Sequence, residues 1–262
     1  MKVIFTGSRG SLGRRYLKKY PDTIGVSMRY EDMELYDNFR EQLSDCDVVI
    51  HASANLNPSS VEESIRDNTL LTIDMLRSVE KINRSIQVIL ISSMSIMGKN
   101  QNIKKIDNMT DYAISKYMME VFSRKFYKIP VTVVRFSTLF YEDHEKDGLS
   151  RIIYNAKKKE KMVAVHCKRD FIPIEIACSY LNKLCGNEKW FGKTINIASG
   201  VPIDMVDIGK YLKKKYSVLL HRTELPSFED VCHKFDTSGV EELQRIEFDI
   251  YDFIDNYYDT IS

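Results

Sequence analysis

Apolar residues recur in short consecutive runs through the first half of the chain: Val3 to Phe5, Ile24 to Ser27, Val48 to His51, Val88 to Ser92 and Val131 to Phe136. Runs of this length, rich in β-branched residues and apolar on successive positions, predict strands covered on both faces. Between them the spacing changes to the three-and-four pattern of helices. It does so over Ser60 to Ser78, and over Tyr112 to Tyr127, where Met118, Phe122 and Phe126 share a face. Strand alternating with helix predicts a parallel, doubly wound α/β sheet. Each run ends in small or polar residues, at the edge where such sheets take ligands. A later core run, Phe171 to Ile174, reads as a return strand of the same sheet, and Lys157 to Lys161 as a solvated helix end. No repeat, low-complexity tract or Pro- and Gly-rich linker separates the halves, so any second lobe is interwoven with the first.

Composition narrows the partners. The 262 residues are enough for a substantial core, and 38 basic against 37 acidic side chains give a net charge of +1. That balance argues against a nucleic-acid binder and points to a small-molecule partner. Cys46, Cys167, Cys178, Cys185 and Cys232 are odd in number and widely spaced, and they read as reduced packing residues of a cytoplasmic protein. Met1 leads straight into a strand and no apolar run reaches the roughly 18 residues of a membrane span, so neither secretion nor membrane insertion is expected.

The first chemical signal is Thr6-Gly7-Ser8-Arg9-Gly10-Ser11-Leu12-Gly13, a glycine turn between the first strand and a helix expected from about Leu12 to Lys19. Such a turn sets free backbone N–H groups against a dinucleotide's phosphates. Gly7 permits the turn, Gly10 removes a Cβ where the pyrophosphate approaches, and Gly13 lets helix and strand pack closely. The triplet alone is a weak signal. It gains weight from Tyr112-Ala113-Ile114-Ser115-Lys116, whose Tyr and Lys lie four apart and therefore neighbour each other on a helix. An ammonium beside a phenol, whose free value is about 10, favours the phenolate, and so brings Tyr112 toward working pH as a proton donor.

These segments resemble the extended short-chain dehydrogenase/reductase family, also described as the NAD-dependent epimerase/dehydratase family, which acts mostly on nucleotide sugars. The resemblance runs along nearly the whole chain in order. Val49-Ile50-His51-Ala52-Ser53-Ala54 is similar to the strand end that lines the cofactor. Asn68 with Thr72 is similar to the Asn-x-x-Gly-Thr helix, with Leu71 in place of glycine. Ser92-Ser93-Met94-Ser95-Ile96-Met97-Gly98 resembles the segment carrying the catalytic serine, with Met97 where tyrosine is usual. Arg169-Asp170-Phe171-Ile172-Pro173-Ile174, Asn196-Ile197-Ala198-Ser199-Gly200 and Phe235-Asp236-Thr237-Ser238 resemble three later signatures. The resemblance implies a Rossmann-type dinucleotide-binding domain over residues 1–140. It implies mainly a small substrate-binding lobe over residues 141–262, with the return strand near 171–174 rejoining the Rossmann sheet. In it Ser93, Tyr112 and Lys116 are the catalytic residues. Gly7, Ser8, Arg9, Gly10, Ser11, Leu12, Arg29, His51, Ala52, Ser53, Asn68, Tyr112 and Lys116 hold the cofactor, while Ser93, Ser95, Ser137 and Arg169 meet the substrate.

Departures from the family pattern refine the expectation. The second strand ends in Val26-Ser27-Met28-Arg29 without the carboxylate that NAD-preferring members offer the ribose. Arg29 and Arg9, with Ser27, suit a 2′-phosphate, which favours NADP (NADPH), while NAD is retained if Glu31 or Asp32 stands in for the acid. Arg169 matches the arginine that holds the sugar-nucleotide diphosphate, but Leu225-Pro226-Ser227-Phe228 occupies the place of the second one, leaving Arg222 as a substitute. Met94 and Ser95 replace the Asp-Glu pair of the dehydratases, and Ser95 the cysteine of the GDP-fucose-forming epimerase-reductases. His144 is displaced from the position of those enzymes' histidine. His166, His221 and His233 have no metal-ligand spacing, so no metal is expected. The expected activity is NADPH-dependent reduction of a nucleotide-linked 4-keto-6-deoxy sugar in polysaccharide biosynthesis. A nucleotide-sugar 4-epimerase using bound NAD is the alternative enzyme, and a non-catalytic nucleotide-binding member the alternative of another class. Apolar positions near Met75 and Met118 are compatible with a homodimer.

Overall fold

The computed structural model describes residues 1–82, 85–98, 101–141, 148–224 and 248–260. His144, Cys232, His233, Leu225 to Phe228 and the Phe235–Ser238 motif lie outside these residues, as does the side chain of Arg222. The chain divides into two compact units. The first comprises Met1–Ile96, Lys104–Phe136 and Ile174–Ile197, and the second Met97–Ile103, Ser137–Pro173 and Ala198–Ser262.

The first unit is built on a six-stranded, wholly parallel sheet. Its strands are β1 (Val3–Thr6), β2 (Ile24–Val26), β3 (Val48–His51), β4 (Gln87–Ser93), β5 (Val131–Phe136) and the edge strand Thr194–Ile197, in the order edge strand, β5, β4, β3, β1, β2. Strand order reverses between β1 and β3, and in open α/β sheets the crevice at such a reversal, outside the carboxyl ends of the strands, is where ligands bind. Helices cover both faces. On one lie α1 (Ser11–Lys19) and α7 (Ile174–Leu184), with Tyr16 of α1 packed on Phe5 at 4.9 Å between ring centroids. On the other, α2 (Met33–Leu43), α4 (Leu71–Glu80) and α5 (Asp111–Ser123) close a core around Ile4, Phe39, Val49, Met75, Val88 and Met119. Helix α4 continues from α3 (Val61–Ser64) through a wider π turn at Ile65–Leu70.

The expected return strand is corrected here. Phe171–Pro173 (β9) does not join the large sheet but pairs with β6 (Thr138–Phe140) inside the second unit. The sixth strand is Thr194–Ile197 (β10), delivered beside β5 by α7, so the first unit breaks off at Phe136 and resumes from Ile174 to Ile197. A four-residue apolar run carries too little periodicity to choose between two sheets.

The second unit holds its own core of Phe140, Leu149, Ile153, Met162, Ile208, Leu212, Ile254 and Tyr257. It forms between α6 (Gly148–Lys157), β7 (Met162–His166), α8 (Met205–Tyr216) and the last described helix, α9 (Ile250–Thr260). No helix among the described residues is long and apolar enough to cross a membrane.

Candidate active site

The glycine turn sits at the sheet's reversal point. Gly7 has φ +76°, and a Cβ there would lie 2.8 Å from the Ser53 nitrogen and 2.9 Å from the Ala52 carbonyl, so the turn rests against the exit of β3. Gly13 is tighter: a Cβ would lie 2.4 Å from the Gly7 oxygen and 2.8 Å from the Ser8 Cα, which brings α1 directly onto the loop. Gly10 differs, since an added Cβ would meet only the Gly7 oxygen, at 3.2 Å. Helix α1 begins after Gly10 with no side-chain cap and no acidic residue in its first turn, so the N–H groups from Ser11 onward carry an uncompensated partial positive charge. The buried Ser53 hydroxyl beside this turn has no protein partner. An exposed nest of N–H donors, a Cβ-free approach and an orphaned hydroxyl fit the phosphates of a dinucleotide. Ser8 ties the turn to the end of β2, through its N–H to the Val26 carbonyl at 3.3 Å and its hydroxyl to Ser27 at 3.4 Å. Arg9 and Arg29 are exposed at the two sides of this junction.

Two residues expected to touch the cofactor are buried elsewhere. His51 is 1% exposed, its Nδ1 2.8 Å from the Thr6 hydroxyl and its Nε2 3.0 Å from that of Thr72. Thr72 donates its own proton to the Asn68 carbonyl at 2.7 Å, so its oxygen accepts from His51 Nε2–H and Thr6 donates to Nδ1. Burial holds this imidazole well below its ordinary value, at about 3, with the Lys116 charge adding to the effect, so His51 is a neutral strut. Asn68, fully buried in the π turn, accepts from the Asn55 N–H at 2.7 Å and donates to the Asn55 carbonyl at 3.1 Å and to the Ser115 hydroxyl at 2.9 Å. It therefore fixes the loop after β3 against α5 and has no edge left for a ligand.

Helix α5 is bolted in place by that same turn. Thr110 caps it, its hydroxyl accepting from the Ala113 N–H at 3.2 Å; Ser64 donates to the Asp111 carbonyl at 3.0 Å, and Thr69 to the Ser115 carbonyl at 2.9 Å. Ser115 passes its proton to the Tyr112 carbonyl at 2.8 Å. Sequence reasoning missed Ser64, Thr69 and Ser115. The readable signal was the polar series Ser64, Asn68, Thr72 at helical spacing, on a face that an amphipathic reading assigns to solvent.

The three expected catalytic residues do come together. Ser93 ends β4, and its oxygen accepts from the Ser95 N–H at 3.1 Å, leaving its proton to donate to the Tyr112 oxygen. Lys116 lies one turn beyond Tyr112, 3% exposed, its Nζ 5.8 Å from the Tyr112 ring centroid and 2.8 Å from the Ile91 carbonyl that it bonds. The expectation of a depressed phenol is reversed. Burial pushes Tyr112 up to about 12, with the Ser93 hydrogen bond pulling weakly the other way. Burial also lowers Lys116 to about 8, against the raising effect of Glu120. Desolvation penalises both charged forms, and it outweighs the attraction that spacing alone suggested. Tyr112 thus keeps its proton across the neutral range.

In the second unit Arg169 lies on β8 (Lys168–Arg169), which pairs with β11 (Ile203–Asp204). Asp170 accepts from the Ser199 N–H at 2.9 Å and from the Ser199 hydroxyl and Gly200 N–H at 2.8 Å each. Burial raises this carboxyl, while its hydrogen bonds favour the charged form. The Ser137 hydroxyl, 7% exposed, has no protein partner. Among the described residues, no group of three His, Cys, Asp or Glu side chains could hold a metal ion.

A family model described as the NAD dependent epimerase/dehydratase family matches residues 3–198. The chain belongs to that family. Solved structures similar to this epimerase/dehydratase-family protein include Pal from Bacillus thuringiensis, 17% identical with a TM-score of 0.85, covering 99% of this chain and 98% of that one. UDP-glucuronic acid 4-epimerase from Bacillus cereus, solved with UDP-glucuronic acid and NAD, is 18% identical with a TM-score of 0.79 over the same shares. UDP-glucose 4-epimerase from Thermotoga maritima, solved with UDP-glucose, is 14% identical with a TM-score of 0.83, again over 99% and 98%. At these identities the likeness shows a shared Rossmann-type fold. No curated protein matches this family member significantly in sequence.

Proposed function

We propose that this chain is an NADPH-dependent reductase of a nucleotide-linked 4-keto-6-deoxy sugar, converting the ketone to the alcohol. The observation that carries the reading is the hydroxyl pair of Ser93 and Tyr112, with Tyr112 still holding its proton far above neutrality. Carbonyl reduction needs a donor that is loaded before turnover, whereas an enzyme that begins by oxidising its substrate needs a base. Ser93 donates a hydrogen bond to the carbonyl oxygen, Tyr112 gives that oxygen its proton, and the Lys116 ammonium stabilises the phenolate left behind. When bound, the reduced nicotinamide supplies the hydride that reaches the carbonyl carbon.

The remaining roles follow. Gly7, Gly10 and the N–H groups at Ser11 and Leu12 take the pyrophosphate, with Ala52 and Ser53 lining the β3 side. Arg29 and Arg9 take the 2′-phosphate, and Ser95, whose buried hydroxyl has no partner, meets the sugar. Arg169 takes the substrate diphosphate through its two-pronged donor geometry. Met94 and Ser95 after the catalytic serine leave no carboxyl pair for dehydration. A reduced, cytoplasmic setting agrees with the absence of a disulfide among the four described cysteines, and a homodimer through α5 agrees with the partial exposure of Val121 and Phe122.

A second reading, sugar-nucleotide 4-epimerase, is favoured by the 4-epimerases among the similar structures. One experiment separates the two. The purified protein is incubated with NADPH or NADH and a panel of dTDP-, CDP-, GDP- and UDP-linked 4-keto-6-deoxy sugars, following nicotinamide absorbance and product mass. Reduction consumes NADPH and adds two hydrogens to the sugar. Interconversion of nucleotide sugars without net cofactor consumption supports the epimerase, no turnover of any ketone rejects the reductase, and a strong NADH preference rejects the assignment of Arg29 and Arg9.

A further inference from the structure

Helix α5 carries a second buried charge that the proposed reaction does not use. Glu120 lies one turn beyond Lys116, its side chain 2% exposed. Arg135 of β5 grips the carboxylate with both prongs, Nε to Oε1 at 2.8 Å and Nη2 to Oε2 at 2.6 Å, and the Ser92 hydroxyl donates to Oε1 at 2.5 Å. Ser92 and Arg135 are register partners on neighbouring strands, so the two donors reach Glu120 side by side. Lys116 bonds the carbonyl of Ile91, the residue before Ser92. Opposite charges at i and i+4 of one helix are therefore fastened to consecutive residues of one strand. A buried ion pair is a weak source of stability, because apolar groups of similar volume often do as well or better. Its placement against Lys116 gives it a function.

We propose that Glu120 is a positioning residue for Lys116, a counter-charge fixed by Arg135 and Ser92 that keeps the neighbouring ammonium protonated and seated on β4. This rests on the reading of Lys116 as part of the catalytic set. The ionisable groups facing Lys116 are Tyr112 and Glu120 from its own helix and His51 from β3, with Arg135 of β5 behind Glu120. Tyr112 and His51 are neutral through the working range. Among the described residues Glu120 is then the negative charge that opposes desolvation of the ammonium, and without it the positive charge of Arg135 acts in the same direction as burial.

The test follows the Lys116 titration by NMR of side-chain-labelled lysine, assigned with Lys116→Met, in the wild type, Glu120→Gln and Glu120→Asp. In Glu120→Gln the Lys116 midpoint is expected to fall by about one pH unit or more. The alkaline limb of kcat for any ketone found to turn over moves down with it. Glu120→Asp keeps the charge one methylene farther away and is expected to shift part-way, which supplies the measurement if Glu120→Gln does not fold. An unchanged Lys116 midpoint in whichever variant folds overturns the proposal. The titration needs no substrate, so inactivity toward every ketone would reject the proposed function while leaving this result to stand or fall by itself.

Discussion

Gly13 and Gly10 of the turn make separable demands, and alanine at each should separate them. At Gly13 a methyl group would sit 2.4 Å from the Gly7 oxygen and 2.8 Å from the Ser8 Cα, both backbone atoms on a loop already held to β2 and β3. Nothing there can rotate away, so the helix must lift or the loop must shift. Overpacking of that kind costs about 1–3 kcal/mol or more, and for a chain of this size each kcal/mol moves Tm by about 2–4 °C. Gly13→Ala should thus melt about 2–12 °C below the wild type. At Gly10 the only encounter is with the Gly7 oxygen at 3.2 Å, and φ is −72°. Gly10→Ala should therefore melt within about 2 °C of the wild type, yet place a methyl group where phosphate oxygens must meet the helix N-terminus. We expect its Kd for NADPH to rise at least about tenfold, which is about 1.4 kcal/mol. Differential scanning fluorimetry without ligand gives the first quantity, and titration of NADPH fluorescence the second. If Gly13→Ala melts normally the reported packing is wrong, and if Gly10→Ala binds NADPH as tightly as the wild type, the dinucleotide does not lie across this turn.

The other predictions concern buried polar groups. Tyr112→Phe should lower kcat about 10²- to 10⁴-fold with little change in Tm, since it removes the donor and leaves the ring; steady-state kinetics on the ketone identified above checks this, and a retained rate would remove Tyr112 from the chemistry. Lys116 has a folded-state value of about 8 against an ordinary 10.5, so the folded chain binds this proton more weakly than the unfolded one. Its penalty is full below about pH 8 and fades as pH rises through about 10.5, so Lys116→Met should gain up to about 3 kcal/mol over the wild type at neutral pH and lose that advantage in alkali. Urea unfolding at about pH 7 and about pH 10 measures the difference. Thr72→Val leaves His51 Nε2–H without an acceptor and should cost about 1–3 kcal/mol in the same assay, although Thr72 meets no ligand.

Much of the frame was legible along the chain. The five apolar runs hold β2, β3 and β5 whole and most of β1 and β4, because a strand covered on both faces must be apolar on consecutive residues. The glycine spacing was legible because only glycine satisfies φ +76° and a backbone approach below 3 Å at Gly7. Helix α5 was expected from Tyr112 to Tyr127 and runs from Asp111 to Ser123. Phe122 is 40% exposed, while the inward positions are Ala113, Ser115, Lys116, Met119, Glu120 and Ser123. The polar residues of that inward face are buried with partners: Ser115 on the π turn, Lys116 and Glu120 on β4 and β5, and Ser123 on the Glu120 carbonyl of its own helix.

The sequence by itself determined which segments form strands and helices, where the tight turn falls, and that a serine, a tyrosine and a lysine are available at strand end and helix start. Those properties are local, set by backbone sterics and by the periodicity of burial. Only the tertiary structure decided which of the polar side chains are tied into the scaffold. It turned His51 and Asn68 inward as struts, assigned the sixth strand to Thr194–Ile197, and made Tyr112 harder to ionise where spacing suggested easier. Desolvation and hydrogen-bond partnership depend on every neighbour a group acquires on folding, and those neighbours come from strands and helices up to scores of residues away.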